Sequence, residues 1–393
     1  MSNLDSEYEV GYLSLNKIGE ELCGDHVEIV KKDDGSLTLV LADGLGSGVK
    51  ANILSTLTAS MLSTMIDGGL SLRESVSSLV RTLPIAKDRG NVAYSTFTVL
   101  HANSDFTLSI YNYDNPEPIF LHEGKLVPLK WDSLLVEGKK INSSIISLED
   151  FDTLILVSDG AVYAGVGESL NFGWTLKEIR SYMEGLYAPS ISSKNLATLL
   201  IEHCSLLYNN RPGDDTTCLV LRRRKRENVS FLVGPATNPA DDEKMMSLFF
   251  SKGGKHLVSG GTSAHVCAKY LHQEIETSLD YVDPKIPPIS HIKGVDLVTE
   301  GVITLNRLVE LAKDYLGNNQ AYFDWSFRQD GASLLAEALF EEATDISFYV
   351  GCAVNPAHQD PKLQINISMK MELVSELTKL LQRMGKHIKV AYF

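Results

Sequence analysis

Asp43 stands where a strand pattern gives way to a helix pattern, a position at which a carboxylate can do chemistry. The apolar run Leu37–Leu41 predicts a strand that ends at this aspartate. Gly44 follows, and apolar residues at helical spacing begin at Val49. A carboxylate at a strand tip, beside an unshielded glycine carbonyl, offers the oxygen ligands that Mg²⁺ and Mn²⁺ prefer. Because a single Asp-Gly pair also forms ordinary turns, the interpretation depends on further acidic residues.

Three more aspartates occupy comparable positions at predicted strand ends. Asp25 follows a glycine and enters the strand Val27–Val30. Asp159 ends an apolar strand and precedes a glycine, and Asp214 comes shortly before the strand Cys218–Leu221. These residues are far apart in sequence, so only the fold can bring them together. Their shared placement favours one metal site over four unrelated turns.

The motifs around these aspartates resemble those of the SpoIIE-type branch of the PPM metal-dependent serine/threonine phosphatases. The matching segments are GD at Gly24, LADGLGSG from Leu41, LILVSDG from Leu154 and GDDTT from Gly213. The resemblance covers about residues 8–224. It implies two Mn²⁺ or Mg²⁺ ions that share one aspartate and hold the water that attacks the phosphoryl group of a phosphorylated protein.

The resemblance also assigns a role to each aspartate. It implies that Asp43 bridges the two ions and that Gly44 gives its carbonyl oxygen to one of them. Asp159 would join Asp43 on that ion, whereas Asp25 and Asp214 would hold the other. The structural alternative is that all four are turn residues in a fold that has lost its activity.

Some neighbouring residues leave alternatives open. Asp215 could bind a further ion or a ligand water, although a turn or capping role is favoured. Many PPM enzymes hold phosphate with an arginine that has no clear counterpart here, and Lys17 is the candidate in its place. Relatives often read NAGHPP where this chain has Asn112–Pro118, which leaves open whether that loop borders the site. His26 is not assigned to the metals, because adjacent residues of a strand face opposite ways.

Composition limits the classes of protein to which the chain can belong. It has 393 residues, 44% hydrophobic and 22% charged, as expected for globular domains. The net charge of −14 argues against nucleic acid or anionic membrane as the main partner. The five scattered cysteines form no CxxC pair, which predicts reduced thiols and no zinc site. No signal peptide or membrane span is visible, and we expect a cytoplasmic protein.

The order of predicted elements indicates an α+β phosphatase domain over residues 1–224. Helical patterns begin at Val49 and at a capping box formed by Ser71 and Glu74. A strand meander is predicted over residues 94–132, and two more helices follow the strand that ends at Asp159. Two early helices, a block of strands and two late helices predict an α/β/β/α sandwich.

A basic run that begins at Arg222 marks the predicted boundary, and a second domain is expected over residues 225–393. Its strand and helix patterns alternate, which predicts an α/β domain. The segment FLVGPATNPA from Phe231 recurs as FYVGCAVNPA from Phe348. A Gly-Lys-His sequence follows each copy, from Gly254 and from Gly385, so an internal duplication is favoured.

The second domain also contains a glycine-rich junction between a predicted strand and a predicted helix. Backbone amides at the start of a helix attract anions, so this junction could bind a small anionic ligand. A tight structural turn is an equal alternative, because a P-loop lysine is lacking. The four candidate residues are Gly260, Gly261, Thr262 and Ser263.

Together these observations predict a metal-dependent phosphatase of phosphoserine and phosphothreonine in bacterial-type regulatory signalling, with a C-terminal domain that regulates or targets it. A homo-oligomer is compatible with the sequence. Two alternatives stay open: a non-catalytic interaction module with the same fold, and a ligand sensor whose main function lies in the C-terminal domain.

Overall fold

A computed structural model describes residues 5–82, 85–86, 91–92, 95–277, 286–353 and 362–393 of the chain. The backbone divides into two units, Met1–Lys225 and Arg226–Phe393. Each unit has its own sheets and its own hydrophobic core.

In its described residues, the first unit contains two large antiparallel sheets, a two-stranded sheet and five helices. Its strands are β1 (Ser6–Leu15), β2 (Asp25–Lys31), β3 (Leu37–Asp43), β4 (Ile85–Ala86), β5 (Asn91–Val92), β6 (Thr96–Ala102), β7 (Thr107–Tyr113), β8 (Ile119–His122), β9 (Lys125–Leu126), β10 (Asp132–Val136), β11 (Lys139–Ser147), β12 (Thr153–Val157) and β13 (Thr216–Lys225). Its helices are α1 (Gly48–Asp67), α2 (Leu72–Thr82), α3 (Asp159–Val162), α4 (Leu176–Leu186) and α5 (Ser193–Leu207). One sheet has the order β1-β13-β12-β8-β9 and the other has the order β10-β11-β7-β6-β3-β2, while β4 and β5 pair with each other.

Alternating side chains on the strands bury both faces of each sheet. Leu39 and Leu41 of β3 pack in one cluster with Leu154 and Leu219 of the other sheet, so the two sheets lie face to face. On the outer face of β3, Val40 packs in a cluster with α1 and α2. The outer face of the other sheet is covered by α4 and α5. The predicted α/β/β/α sandwich of the α+β class is therefore confirmed.

The first half of helix α1 buries small residues, whereas the apolar residues whose spacing predicted the helix face outward there. Ala51, Ser55 and Ala59 are fully buried against the sheet. Val49 is 61% exposed and Ile53 is 51% exposed. The helix was predicted correctly, but the apolar residues that predicted it, such as Val49 and Ile53, lie on its exposed face.

The strand block differs from a simple meander. β7 belongs to one sheet and β8 to the other, so the chain changes layer between them. Strand β11 runs over nine residues and pairs with β10 on one side and with β7 on the other. The predicted capping box is present, because Ser71 and Glu74 bond reciprocally. Thr175 and Glu178 form another capping box at the start of α4.

The second unit is a layered α/β structure built on one sheet. Its strands are β14 (Asn228–Val233), β15 (Lys255–Ser259), β16 (Glu276–Thr277), β17 (Ser290–His291), β18 (Leu297–Thr299), β19 (Asp345–Val350) and β20 (His387–Tyr392). Its helices are α6 (Asp242–Phe250), α7 (Gly261–Leu271), α8 (Val302–Leu316), α9 (Tyr322–Trp325), α10 (Gly331–Ala336) and α11 (Lys362–Arg383). A 3₁₀ turn at Pro239–Asp241 and a π-helical segment at Glu337–Glu342 complete it.

The five central strands of this sheet are parallel, in the order β18-β15-β14-β19-β20. The chain therefore begins at the centre, builds one half of the sheet outward and then builds the other half. Helices α6 and α7 cover one face, and α8, α10 and α11 cover the other. The predicted α/β alternation is confirmed.

The repeated segments occupy equivalent places at the centre of this sheet. Phe231 pairs with Phe348 and Val233 pairs with Val350 across β14 and β19. Each copy leads through a helix to a glycine turn with positive φ, at Gly254 and at Gly385, and then to a parallel strand. The end of the second copy, 354–357, lies outside the described residues.

The basic run ends β13 and is bonded into the first unit. Arg222 is buried and donates to the Thr153 hydroxyl and to nearby backbone carbonyls. Arg224 forms an ion pair with Glu9 at 2.6 Å. The run is therefore the end of a strand of the first unit. In the part of the chain that the structure describes, no helix is long and apolar enough to cross a membrane.

Candidate metal centre

Asp25 and Asp43 face each other across two neighbouring strands. They are direct partners in the antiparallel pairing of β2 with β3. The Gly44 amide donates to the Gly24 carbonyl at 3.1 Å, which fixes the two strand tips together. Asp25 is only 4% exposed, whereas Asp43 is half-buried. The two sequence motifs thus form one structural pair.

Asp159 follows the end of β12 and Asp214 precedes the start of β13, and these two strands are neighbours in the other sheet. The Ser158 amide donates to the Thr217 carbonyl at 3.0 Å, and the Thr217 amide donates to the Ser158 hydroxyl at 2.8 Å. These bonds place the end of β12 beside the start of β13. Asp159 lies in the first turn of α3, and the Tyr208 hydroxyl donates to the Gly160 carbonyl in the same turn at 2.8 Å.

The two pairs lie close enough to act on one another electrostatically. Burial raises the pKa of Asp43 most, followed by the charges of Asp25, Asp159 and Asp214. A hydrogen bond shared with Asp159 also favours the protonated form of Asp43. Burial likewise raises the pKa of Asp25, with further contributions from Asp215 and Asp159. All four predicted aspartates therefore meet in one acidic centre.

The described carboxylates do not form a complete set of metal ligands. Within the described ranges, no group of three or more His, Cys, Asp and Glu side chains is arranged to hold a metal ion. Neither carboxylate oxygen of Asp25 accepts a hydrogen bond of normal geometry from a described residue. The hydroxyls of Ser158 and Thr217 nevertheless lower its pKa from nearby. A buried carboxylate with two unbonded oxygens fits a cation, because leaving its charge uncompensated is costly.

Comparison with known proteins identifies the family of the first unit. Residues 33–224 match the family model described as Stage II sporulation protein E (SpoIIE). These residues are a SpoIIE-family domain. The predicted resemblance is confirmed, and the family model stops short of the second unit. No curated protein matches the chain.

Solved phosphatase domains are similar to the SpoIIE domain in structure. The phosphatase domain of SpoIIE from Bacillus subtilis aligns with 18% identity over 56% of this chain and 94% of that chain, with a TM-score of 0.44. A longer SpoIIE fragment from the same organism aligns with 18% identity over 56% of this chain and 64% of that one, with a TM-score of 0.47. The RsbU and RsbW domains of a Mycobacterium tuberculosis protein align with 18% identity over 56% and 62%, with a TM-score of 0.44. The chain thus covers less than two thirds of the length of the longer SpoIIE fragment and of the RsbU and RsbW protein.

The loop at Asn112–Pro118 is hydrogen-bonded to the strand that carries Asp43. The Asn115 side chain donates to the Leu41 carbonyl at 3.3 Å, two residues before Asp43. It also accepts from the Thr96 hydroxyl at 2.6 Å, and Thr96 pairs with Asp43 across β3 and β6. The sequence left open whether this loop borders the centre; its asparagines hold the strand that carries Asp43.

Lys17 carries a positive charge close enough to act on Asp214 of the acidic centre. Its charge lowers the pKa of Asp214, which burial and Asp159 otherwise raise. Its backbone amide donates to Asp215 Oδ1 at 3.0 Å, which anchors the segment to the centre. The His26 ring lies 3.2 Å from Glu28. A phosphate-binding role for Lys17 stays a prediction.

Asp215, for which the sequence left a ligand role and a turn or capping role open, is buried in the structure. It is 5% exposed, and its Oδ2 accepts no hydrogen bond from a described residue. The GDDTT motif contains Asp215, but the burial of this residue results from strand pairing in the sheet and cannot be read from the sequence.

The candidate anion site of the second unit is only partly available to a ligand. Ser263 Oγ accepts from the Gly234 amide at 2.8 Å and donates to the Ser259 carbonyl at 3.0 Å, so it joins two strand ends. Gly260 has a φ of 107° and precedes the first turn of α7. Gly261 and Thr262 are exposed. Anion binding at this junction stays a prediction.

Proposed function

We propose that the SpoIIE domain is a Mn²⁺- or Mg²⁺-dependent phosphatase that hydrolyses phosphoserine and phosphothreonine in proteins. The main support is the meeting of aspartates from four separate chain segments in one acidic centre, where Asp25 is buried with both oxygens unbonded. Such a set is costly in a fold unless a cation compensates it.

In this proposal two ions are held by residues that the motifs identified. Asp43 serves both ions, with Asp159 and the Gly44 carbonyl on one side and Asp25 and Asp214 on the other. Bound divalent ions supply a water of lowered pKa and neutralise charge on phosphoryl oxygens. Carboxylates suit this task because they leave several ligand positions to water.

The protein's own groups bind and orient the substrate. The aspartates alone would repel a phosphate group, so substrate binding itself depends on the cations. Lys17 supplies a positive charge that acts on Asp214, and in this proposal its ammonium group binds a phosphoryl oxygen. Asn115 and Thr96 keep the tip of β3 in register, so that Asp43 stays directed at the centre.

The cellular setting belongs to the same proposal. We propose a cytoplasmic protein that acts on a phosphorylated protein in regulatory signalling, with its second unit as the regulatory or targeting part. The net charge of −14 supports a protein partner over nucleic acid. The competing function is a non-catalytic module that binds a phosphoprotein through the same surface.

The test is hydrolysis of phosphoserine and phosphothreonine peptides by the full chain, with Mn²⁺, Mg²⁺ or a chelator. Asp43→Asn should lower kcat/KM by at least about 100-fold, since loss of a shared ligand costs more than loss of a residue that only orients a ligand. Asp33→Asn, an exposed acid in the β2–β3 turn, is the matched control. If no peptide is hydrolysed with either metal, the non-catalytic module is the better description.

A further inference from the structure

Asp215 is buried in the acidic centre, and the roles proposed so far leave one of its oxygens unused. Its Oδ1 accepts the Lys17 amide at 3.0 Å. Its Oδ2 accepts no hydrogen bond from a described residue, although the side chain is 5% exposed. A turn or capping role accounts for Oδ1 only.

The unbonded oxygen lies next to Gly24, the residue that precedes Asp25. A methyl group built on Gly24 would stand 2.7 Å from Asp215 Oδ2, so this oxygen lies against the residue that precedes Asp25. Asp25 and Asp215 together have three buried carboxylate oxygens that accept no hydrogen bond of normal geometry from a described residue.

Few partners satisfy such a pair. A lysine or arginine would be expected within salt-bridge distance, but the structure gives neither Asp25 nor Asp215 an ion pair among its described residues. A divalent cation satisfies several carboxylate oxygens at once.

We propose that Asp215 is a direct cation ligand beside Asp25, so that the Asp214-Asp215 pair supplies two ligands instead of one. This inference rests on the proposed metal centre and adds a residue to it. Through Oδ1, the same side chain ties the segment of Lys17 to the cation site. The Asp-Asp pair thereby couples metal binding to the placement of the substrate-contacting lysine.

The proposal predicts opposite effects on the two states of the protein. In metal-free protein Asp25 and Asp215 repel each other, so Asp215→Asn should raise the melting temperature. With Mn²⁺ the same variant lacks one anionic ligand, so the stabilisation by metal should shrink. The asparagine retains an oxygen for the Lys17 amide, so this bond is kept. Asp215→Ala removes both functions.

Calorimetry and thermal unfolding of the full chain with MnCl₂ test the proposal without an activity assay. We expect Asp215→Asn to weaken Mn²⁺ binding on the order of tenfold or more, while Asp33→Asn binds as the wild type does. Gly24→Ala is a second variant that keeps every charge, and its methyl group should also weaken binding by displacing Oδ2.

Three results would overturn the proposal. If Asp215→Asn and Gly24→Ala bind Mn²⁺ like the wild type while Asp43→Asn does not, the metal centre stands and Asp215 is no ligand. If only Asp215→Ala loses affinity, Asp215 is a positioning residue for Lys17. If the wild type itself binds no Mn²⁺, both this inference and the proposed metal centre fail.

Discussion

Gly160 shows how the glycines of the Asp-Gly motifs contribute to the centre. A methyl group at residue 160 would stand 2.1 Å from the Asp215 carbonyl oxygen and 2.6 Å from the Thr216 hydroxyl. One at Gly44 would stand 2.1 Å from the Ala51 carbonyl oxygen on α1. In both pairs the glycine lets another backbone come close enough to hold the aspartate in place.

Gly160→Ala should therefore destabilise the protein, because backbone of β13 must move to admit the methyl group. We expect a loss of at least about 2 kcal/mol in the free energy of unfolding, a range typical of overpacking. Gly185→Ala is the matched control: residue 185 lies exposed in α4 with no atom near its missing Cβ. It should gain up to about 0.5 kcal/mol from helix propensity. Chemical denaturation measures both, and equal stabilities would contradict the packing argument.

Asp25 and Asp43 predict how metal binding varies with pH. Burial and neighbouring carboxylates raise the pKa of both, so the metal-free centre holds protons that a cation must displace. Mn²⁺ affinity should rise with pH, by up to about tenfold per pH unit for each proton released. Calorimetry between pH 6 and 8, in buffers of different ionisation enthalpy, counts those protons. Affinity that is constant over this range would mean that the carboxylates are already ionised.

Most of the centre could be read from the motifs, and two parts could not. The four aspartates stand at strand ends, where the sequence pattern places them. The burial of Asp215 depends on β13 lying beside β12, and the bond from Asn115 to the Leu41 carbonyl spans 74 positions. Neither relation has a local signature, since both arise from the pairing of distant strands.

At the scale of elements, α1 separates what periodicity can predict from what packing decides. The apolar residues at helical spacing from Val49 predicted this helix, but Val49 and Ile53 lie on its exposed side. The buried side uses Ala51, Ser55 and Ala59, because the helix lies close to the strands beneath it. The change of sheet between β7 and β8 was likewise missed, since both sheets produce the same alternation.

Substitutions on the two sides of α1 should differ accordingly. Leu62 is fully buried in the cluster that joins α1 and α2 to the sheet. Leu62→Ala should lower the free energy of unfolding by about 2–5 kcal/mol. Ile53→Ala should change it by no more than about 0.5 kcal/mol, because the side chain is largely in water and alanine favours helix. Urea denaturation of both variants tests the assignment, and a larger loss at Ile53 would show that this face is covered.

At the scale of the whole molecule, each unit contains a complete core. The second unit buries Phe231, Leu308 and Phe340 on one side of its sheet and Met245 and Phe249 on the other. In the first unit, all the aspartates of the centre lie within Met1–Lys225. A unit that buries both faces of its own sheets has the apolar area needed for independent folding.

We therefore expect fragments 1–225 and 226–393 to fold separately. Circular dichroism should show cooperative unfolding for each fragment. The helices that cover each sheet belong to the same fragment as that sheet, so the cut exposes no sheet face. Fragment 1–225 should bind Mn²⁺ with the affinity of the full chain within about threefold, since the proposed ligands and the residues that position them are all local to it. An unfolded 226–393 fragment would refute the division at residue 225. A folded 1–225 fragment with much weaker Mn²⁺ binding would instead show that the second unit stabilises the metal-binding arrangement, which would make it a regulator of the centre through metal affinity.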